Sequence, residues 1–479
     1  MRTIALGLGG LLILGISPAY GQQAPSVSPL VAGLVEAVNS DDEAAMRSWV
    51  TAHRAAEGSD TAEEILGLLK QVAASSDDLT IVQPTRSSSL VGAWVQTPQG
   101  RRGAVRLRPS KEDPDKFEAV VLSAAPRPYP RPLLDRPATS AELTAAITDR
   151  IDFAVASGDF SGVVLVMKDD RVILSRADGD TGAGEPMSLS TRFHTGSMGK
   201  MFTAVAIGQL MERGALRLDT TLAEILPDYP NRDFASKVTI GQLLNHTAGL
   251  GGLFERASYD NNRPYEKVGD LLPSFAADEL RFQPGEGGLY SNEGFIVLGA
   301  VIEKLSGESY YDYVQREIFA RAGMKDTAFD RAGDAPNRRA VGMKFDDADP
   351  LGLGRRRPNT EIIGYRGNSC GGVFSTAEDM LRFLHALKAG KLTSSAMAEQ
   401  LTTKTNEVSG GYALGFQVRS SPGGRTIRGH SGGGPHSGIN ADARLIWENG
   451  YAYAVLGNYD SPFAQTLGRD IADMLASQE

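Results

Sequence analysis

Thr195-Gly196-Ser197-Met198-Gly199-Lys200-Met201-Phe202 is the stretch whose reading decides the fold. The run behind it predicts a helix over 198–213, closed by Gly214. At a spacing of three, the Ser197 and Lys200 side chains project from one face of its first turn. A serine hydroxyl is a poor nucleophile until something takes its proton. A lysine amine one turn away can take it, or help, if burial lowers its pKa. The helix start also aims free N–H groups at a developing oxyanion. Ordinary composition supplies about one Ser-x-x-Lys by chance in a chain this long, so the pair needs partners.

Two further stretches offer them. Pro284-Gly285-Glu286-Gly287-Gly288-Leu289-Tyr290-Ser291-Asn292 is a loop entering an apolar helix over 295–305. Gly429-His430-Ser431-Gly432-Gly433-Gly434 follows a short strand. The set resembles the serine β-lactamase and penicillin-binding-protein superfamily, with the Tyr-x-Asn second motif of class C enzymes, DD-peptidases and related esterases. Supporting stretches are Leu243-Leu244-Asn245-His246-Thr247-Ala248-Gly249-Leu250, Ala322-Gly323-Met324 before Asp326-Thr327, and Gly371-Gly372-Val373-Phe374-Ser375-Thr376. The resemblance covers roughly residues 140 to 475.

What the resemblance implies is an acyl-transfer site. Ser197 attacks the carbonyl and is acylated. Lys200 eases its deprotonation and holds Tyr290, which acts as general base and then returns the proton to the leaving group. Asn292 hydrogen-bonds Lys200 and the substrate. The backbone N–H groups of Ser197 and Gly433 form the oxyanion hole, worth about 3 kcal/mol per donor. Ser431 and Gly432 line the substrate edge, and a water deacylates the enzyme. At the third motif the chain departs from the β-lactamase pattern, with His430 where lysine is expected. Histidine is mostly neutral at pH 7, so an anionic penicillin-like substrate should be held less well. No Glu-x-x-Leu-Asn stretch supplies a class A style base.

Other patterns compete. Tyr259-Asp260-Asn261 is a second Tyr-x-Asn, in a polar loop without an apolar helix directly behind it. His436-Ser437-Gly438 repeats the third motif but follows Pro435 rather than a strand. Gly429-His430-Ser431-Gly432-Gly433 and Gly367-Asn368-Ser369-Cys370-Gly371 both match the nucleophile elbow of α/β-hydrolases. After Ser431 no acid intervenes before the one remaining histidine, His436, and after Ser369, which Asp379 and His430 do follow, no helix starts directly, so both read as glycine-rich turns. The six histidines show no metal spacing. His246 and His385 are expected to be structural, Cys370 a small buried residue, and Tyr310-Tyr311-Asp312-Tyr313 helix packing.

At 479 residues, 41% hydrophobic and 22% charged, the chain suits two or more globular domains. A net charge of -9 without a long basic run argues against nucleic acid or an anionic membrane as partner. Arg2, an apolar run over 4–16 and Ala19-Tyr20-Gly21 predict an export signal over 1–21, cleaved after Gly21. The apolar run is too short to span a bilayer, and no stable membrane insertion is expected after cleavage. With Cys370 the only cysteine, no internal disulfide can form.

Residues 28–123 are expected to form a small α+β unit, with helices over 29–39, 41–53 and 61–74. Strands follow over 79–82, 90–96, 104–107 and 117–122, an order similar to the cone-shaped NTF2-like class. No catalytic constellation is visible there, so an accessory role is expected. Pro126, Pro128, Pro130, Pro132 and Pro137 make 124–138 a stiff linker. Residues 139–479 form the second unit, with a helix over 141–156 and strands over 162–167 and 172–175. It ends with strands over 412–418, 426–429, 441–447 and 451–456. The expected fold class is therefore α+β, a β-lactamase/transpeptidase-like antiparallel sheet flanked by helices, with a helical subdomain. The expected function is an exported, cofactor-free serine hydrolase acting on a small-molecule or peptide acyl substrate, an ester or D-amino-acid amide. A true β-lactamase or a non-catalytic peptidoglycan-binding module are the alternatives. Loops over 254–268 and 346–365 are expected to shape the pocket.

Overall fold

The computed structural model describes residues 27–479, apart from 57, 59, 77, 87–89, 111, 254–259, 261, 335–336, 347, 361–363, 406–407, 411 and 435. The export signal expected over 1–21, and Tyr259 and Asn261 of the alternative Tyr-x-Asn, lie outside the described residues.

Three helices open the described chain: α1 (Pro29–Asn39), α2 (Glu43–His53) and α3 (Ala62–Ser75). Asp42 caps α2, and Thr61 with Glu64 forms a capping box on α3. A four-stranded antiparallel meander follows: β1 (Thr80–Arg86), β2 (Val91–Gln96), β3 (Arg102–Pro109) and β4 (Phe117–Ala124). Leu34, Leu66, Leu69, Val95, Val105 and Leu122 are buried in the core between the layers. Residues 125–138 carry no regular structure and lie against α4 (Ser140–Ala156), where Tyr129 and Arg131 both bond Asp149.

The remaining strands are β5 (Gly162–Lys168), β6 (Arg171–Asp178), β7 (Phe193–His194), β8 (Gly342–Phe345), β9 (Arg356–Asn359) and β10 (Phe374–Ser375). Then come β11 (Gln417–Ser420), β12 (Thr426–Gly433), β13 (Asn440–Ile446) and β14 (Tyr451–Gly457). Six of them form one antiparallel sheet in the order β11-β12-β13-β14-β5-β6, so strands from both ends of this part of the chain meet at β14–β5. Side chains alternate across it. Val164, Val166 and Val455 pack under α4 and the C-terminal helix Phe463–Ala476. Val163, Leu165 and Leu456 join the larger core on the other face, with Phe202, Leu381 and Leu384. Fully burying one such side chain contributes about 1.5–3 kcal/mol.

Three of the boundaries that differ from the sequence expectation bear on the cleft. The Ser197 helix begins at Gly199 as α5 (Gly199–Glu212), after a single tight turn, Gly196–Met198. Gly196 has φ +53 and throws the chain into that turn. The strand expected over 412–418 starts only at Gln417, because residues 412–416 turn to pack on α5: Ala413 N bonds Phe416 O, and Gly415 lies against Ala204. The strand expected over 426–429 runs on to Gly433, where Gly432 and Gly433 pair with Ala441 and Asn440. Among the described residues, no helix is long and apolar enough to cross a membrane.

Candidate active site

Helix α5 is buried all round, from Gly199 to Leu210, as the central helix of the larger core. Lys200 is the only charged residue between Gly199 and Met211, and it has no solvent exposure. An unpaired ammonium in such a place costs several kcal/mol. Its nitrogen meets three oxygens instead of water. It donates to Ser197 Oγ at 3.3 Å, Asn292 Oδ1 at 2.7 Å and the Cys370 carbonyl at 2.7 Å. Three acceptors match the three protons of an ammonium. The Tyr290 ring centre lies 4.8 Å from the same nitrogen.

Each partner is delivered by local structure. Asn292 begins the helix Asn292–Ser306, whose cap Ser291 accepts the Gly294 N–H at 2.9 Å. The cap fixes the first turn, so Tyr290 and Asn292 reach the cleft together. The Cys370 carbonyl sits in the tight turn from Asn368 to Gly371, closed by reciprocal backbone bonds. Gly371 packs on the Ser197 turn so closely that an added Cβ would stand 2.4 Å from Gly196 O. This stretch, taken from sequence as an incidental glycine-rich turn, therefore builds the cleft. Ser369 within it is fully buried against Gly299 and is no nucleophile. Burial also pushes the Cys370 thiol upward, against the pull of Lys200.

The opposite wall is β12. Its partner β11 pairs only as far as Gly429, so His430–Gly433 run beyond the end of β11. There the strand meets the Ser197 turn. An added Cβ on Gly432 would stand 1.9 Å from Thr195 O, and one on Gly196 would stand 2.8 Å from Gly433 N. Glycine is required for this approach, which brings the Gly433 backbone N–H beside the Ser197 turn. Ser431 turns away from Ser197: its hydroxyl donates to Gln417 Oε1 at 3.0 Å, and that oxygen also accepts from Arg444 at 2.6 Å.

His430 is 1% exposed and its two ring nitrogens are both engaged within the protein. Nδ1 lies 2.5 Å from the Ser431 carbonyl, which can only accept, so Nδ1 carries the proton. Nε2 then accepts from the Tyr412 hydroxyl at 2.7 Å. Burial first, and then the neighbouring Lys200, hold His430 well below its ordinary pKa. The same two causes in the same order act on His246, whose Nδ1 accepts the Ser291 N–H at 3.0 Å. The His246 ring lies 4.3 Å from both Tyr290 and Tyr412. Tyr412 is fully buried and stays protonated, its pKa raised chiefly by burial.

Sequence reasoning missed Tyr412, which it assigned to a strand, and gave His246 only a structural role. His246 lay in a quoted stretch, and the left-handed φ of +64 puts its ring under Tyr290. No spacing pattern marks Tyr412. The second His-Ser-Gly, at 436–438, is a turn in which Ser437 donates to Gly434 O at 2.6 Å. Among the described residues, no cluster of His, Cys, Asp or Glu could hold a metal ion.

Comparison with known proteins gives this geometry its context. The family model described as Beta-lactamase matches residues 147–476. A penicillin-binding protein of Bacillus subtilis (strain 168) is 31% identical over 295 residues, 58% of this chain and 63% of that protein. Esterase EstB of Burkholderia gladioli is 29% identical over 318 residues, 58% of this chain and 80% of that protein. The chain spans 52–63% of the length of the penicillin-binding relatives. Among solved structures, a penicillin binding protein from Bacillus halodurans aligns with a TM-score of 0.59 at 26% identity, covering 71% of this chain and 98% of that one. A D-amino acid amidase from Ochrobactrum anthropi shares the fold, with a TM-score of 0.58 at 21% identity over 70% of this chain and 99% of that one.

Proposed function

The chain belongs to the beta-lactamase family, whose model covers residues 147–476, and on that premise we propose that it is a serine hydrolase working through an acyl-Ser197 intermediate. The observation that carries the reading is the Lys200 amine held on Ser197 Oγ, Asn292 Oδ1 and the Cys370 carbonyl. With its protons committed to three oxygens, Lys200 is a fixed positive charge beside the nucleophile rather than a resting base. The base is then Tyr290, whose ring lies against that charge. Ser197 Oγ attacks the carbonyl carbon as its proton passes to Tyr290, which enters the step as phenolate and leaves it as phenol. The N–H groups of Ser197 and Gly433 take the oxyanion. Collapse expels the leaving group, which receives the proton from Tyr290 and departs as an alcohol or amine. Water repeats the sequence on the acyl-enzyme and frees the acid.

Substrate class follows from the strand wall. His430 presents neither a charge nor a free nitrogen to the cleft. Nothing at that position pairs with a carboxylate on the leaving-group side, so esters and uncharged amides are favoured over penicillin-like anions. The likeness to esterase EstB supports the ester reading. Export through a signal over residues 1–21 belongs to the same proposal, and N-terminal sequencing of secreted protein should begin at Gln22.

Pre-steady-state hydrolysis of p-nitrophenyl acetate tests the reading. A burst of one equivalent, lost in Ser197→Ala, is expected. Turnover should be faster on the ester than on nitrocefin or a D-alanyl amide. No burst and no fluorophosphonate adduct in the wild type would return the chain to a non-catalytic binding module.

A further inference from the structure

We infer that the N-terminal helix-and-meander unit is a clamp on the active site: it grips the tip of the β8–β9 hairpin, whose stem holds the backbone just beyond Gly433. The inference rests on the proposed role of Gly433 as oxyanion donor. The hairpin tip lies in 346–365, which the sequence assigned to the pocket. Instead, Leu351 and Leu353 are 0% and 1% exposed and belong to the core of the N-terminal unit, with Leu34, Val95, Val105 and Leu107.

The grip is specific at the level of atoms. Gly103 of β3 lies so close that an added Cβ would stand 2.8 Å from Leu351 Cδ2 and 3.1 Å from Leu351 O. The Arg101 guanidinium donates to the Leu353 carbonyl. Across the tip, Asp349 accepts the Leu353 and Gly354 N–H groups, making the turn a rigid plug. Gly352, with φ +63, presses on Ala124 at the end of β4.

From the tip, the stem runs to the site. β8 and β9 pair from Phe345↔Arg356 to Gly342↔Asn359. At one end Arg356 is enclosed by the rings of Phe345, Tyr459 and Phe463, with its guanidinium carbon 4.1–5.1 Å from their centres. At the other, Asn359 Nδ2 donates to Ser437 O at 3.0 Å. The buried carboxylate of Asp460 ties stem to site directly. One oxygen accepts the Phe345 N–H and the other the Gly438 N–H, each at 2.7 Å. Ser437 in turn bonds Gly434 O and the Ile439 N–H. Gly434 is the residue after the oxyanion donor. A closed path of packing and hydrogen bonds therefore joins the N-terminal core to the N–H group on which transition-state stabilisation depends.

A path of this kind predicts coupling rather than separate damage. Two breaks are made in the full chain: Leu351→Ala with Leu353→Ala at the tip, and Asn359→Leu at the stem. Gly103→Val breaks the same grip from the N-terminal unit, leaving the hairpin sequence intact. Rates are normalised to burst amplitude, so any unfolded fraction drops out. Each break is expected to lower kcat on p-nitrophenyl acetate by about tenfold with KM within about twofold, the scale of a slightly misplaced oxyanion donor. Tip and stem breaks combined should still give about tenfold, not about a hundredfold, because both cut one path. Unchanged kcat in the tip or Gly103 variants, or multiplicative loss in the combination, overturns the clamp. Ser197→Ala is run alongside. If it keeps the burst, the reading of the site has failed; if it loses the burst while the clamp variants turn over normally, only the clamp has failed.

Discussion

The two walls of the cleft each bury a basic side chain, and they treat it in opposite ways. On the helix wall Lys200 donates to three oxygens. On the strand wall His430 donates to one carbonyl, accepts from Tyr412 and is held neutral by burial and by Lys200 itself. The lesson is that one charge serves the cleft and excludes a second. A family position that takes lysine elsewhere carries here a residue that satisfies itself inside the protein.

The largest effect should come from removing the charged side. Lys200→Ala is expected to lower kcat/KM on p-nitrophenyl acetate by about a thousandfold, on the scale of a lost electrostatic partner beside the reacting atoms. His430→Ala should cost far less on the same neutral ester. Equal losses in the two variants would break the contrast between the walls.

The next test uses pH. In the unfolded chain His430 gains a proton near its ordinary pKa of about 6.5, whereas the folded site keeps it neutral well below that value. The unfolded state then binds more protons, so this residue lowers stability as pH falls from about 6.5, by about 1.4 kcal/mol per pH unit, until the folded pKa is reached. Asp159 acts with the opposite sign. Burial raises its pKa to about 6, so its contribution is present in acid and lost as pH rises through that value. The comparison must therefore be made as a difference. Urea unfolding of the wild type and His430→Gln at pH 7 and 5 should show a shallower acid loss in the variant. Parallel loss would mean that His430 is charged in the folded protein.

Installing the missing cation sharpens the same contrast. His430→Lys should raise kcat/KM on nitrocefin relative to p-nitrophenyl acetate by about tenfold, the worth of one partly desolvated ion pair. A falling ratio would show that the strand wall does not set the preference for uncharged leaving groups.

How much of this was legible in the sequence depended on distance along the chain. Ser197 and Lys200 share one turn, and Tyr290 and Asn292 share one cap, so short spacing exposed them. The strand-borne glycines were legible because close approach of backbones admits no other residue. What escaped was assembled over long separations. Cys370 reaches Lys200 across 170 positions through a carbonyl that any residue could supply. Tyr412 stands in a run that reads as a strand in the sequence, but Gly415 folds that run onto α5. Leu351 and Leu353 look like loop residues because the core they fill belongs to another part of the chain. Periodicity reports which face of an element is buried, not what buries it.

The smallest predicted effect bears on Tyr412, the residue that lets the strand wall stay neutral. Tyr412→Phe keeps the ring that meets His246 edge-on and removes only the hydroxyl that His430 Nε2 accepts from. A buried acceptor left without its donor costs about 1–3 kcal/mol, so the urea midpoint should fall accordingly. The orphaned nitrogen would also become easier to protonate, which would place a second charge near Lys200. The variant should therefore lose activity first at acid pH, with kcat close to wild type above about pH 8 and reduced a fewfold near pH 6. A uniform loss at all pH values would mean that Tyr412 serves packing alone, and the neutrality of His430 would then have to come from burial without its help.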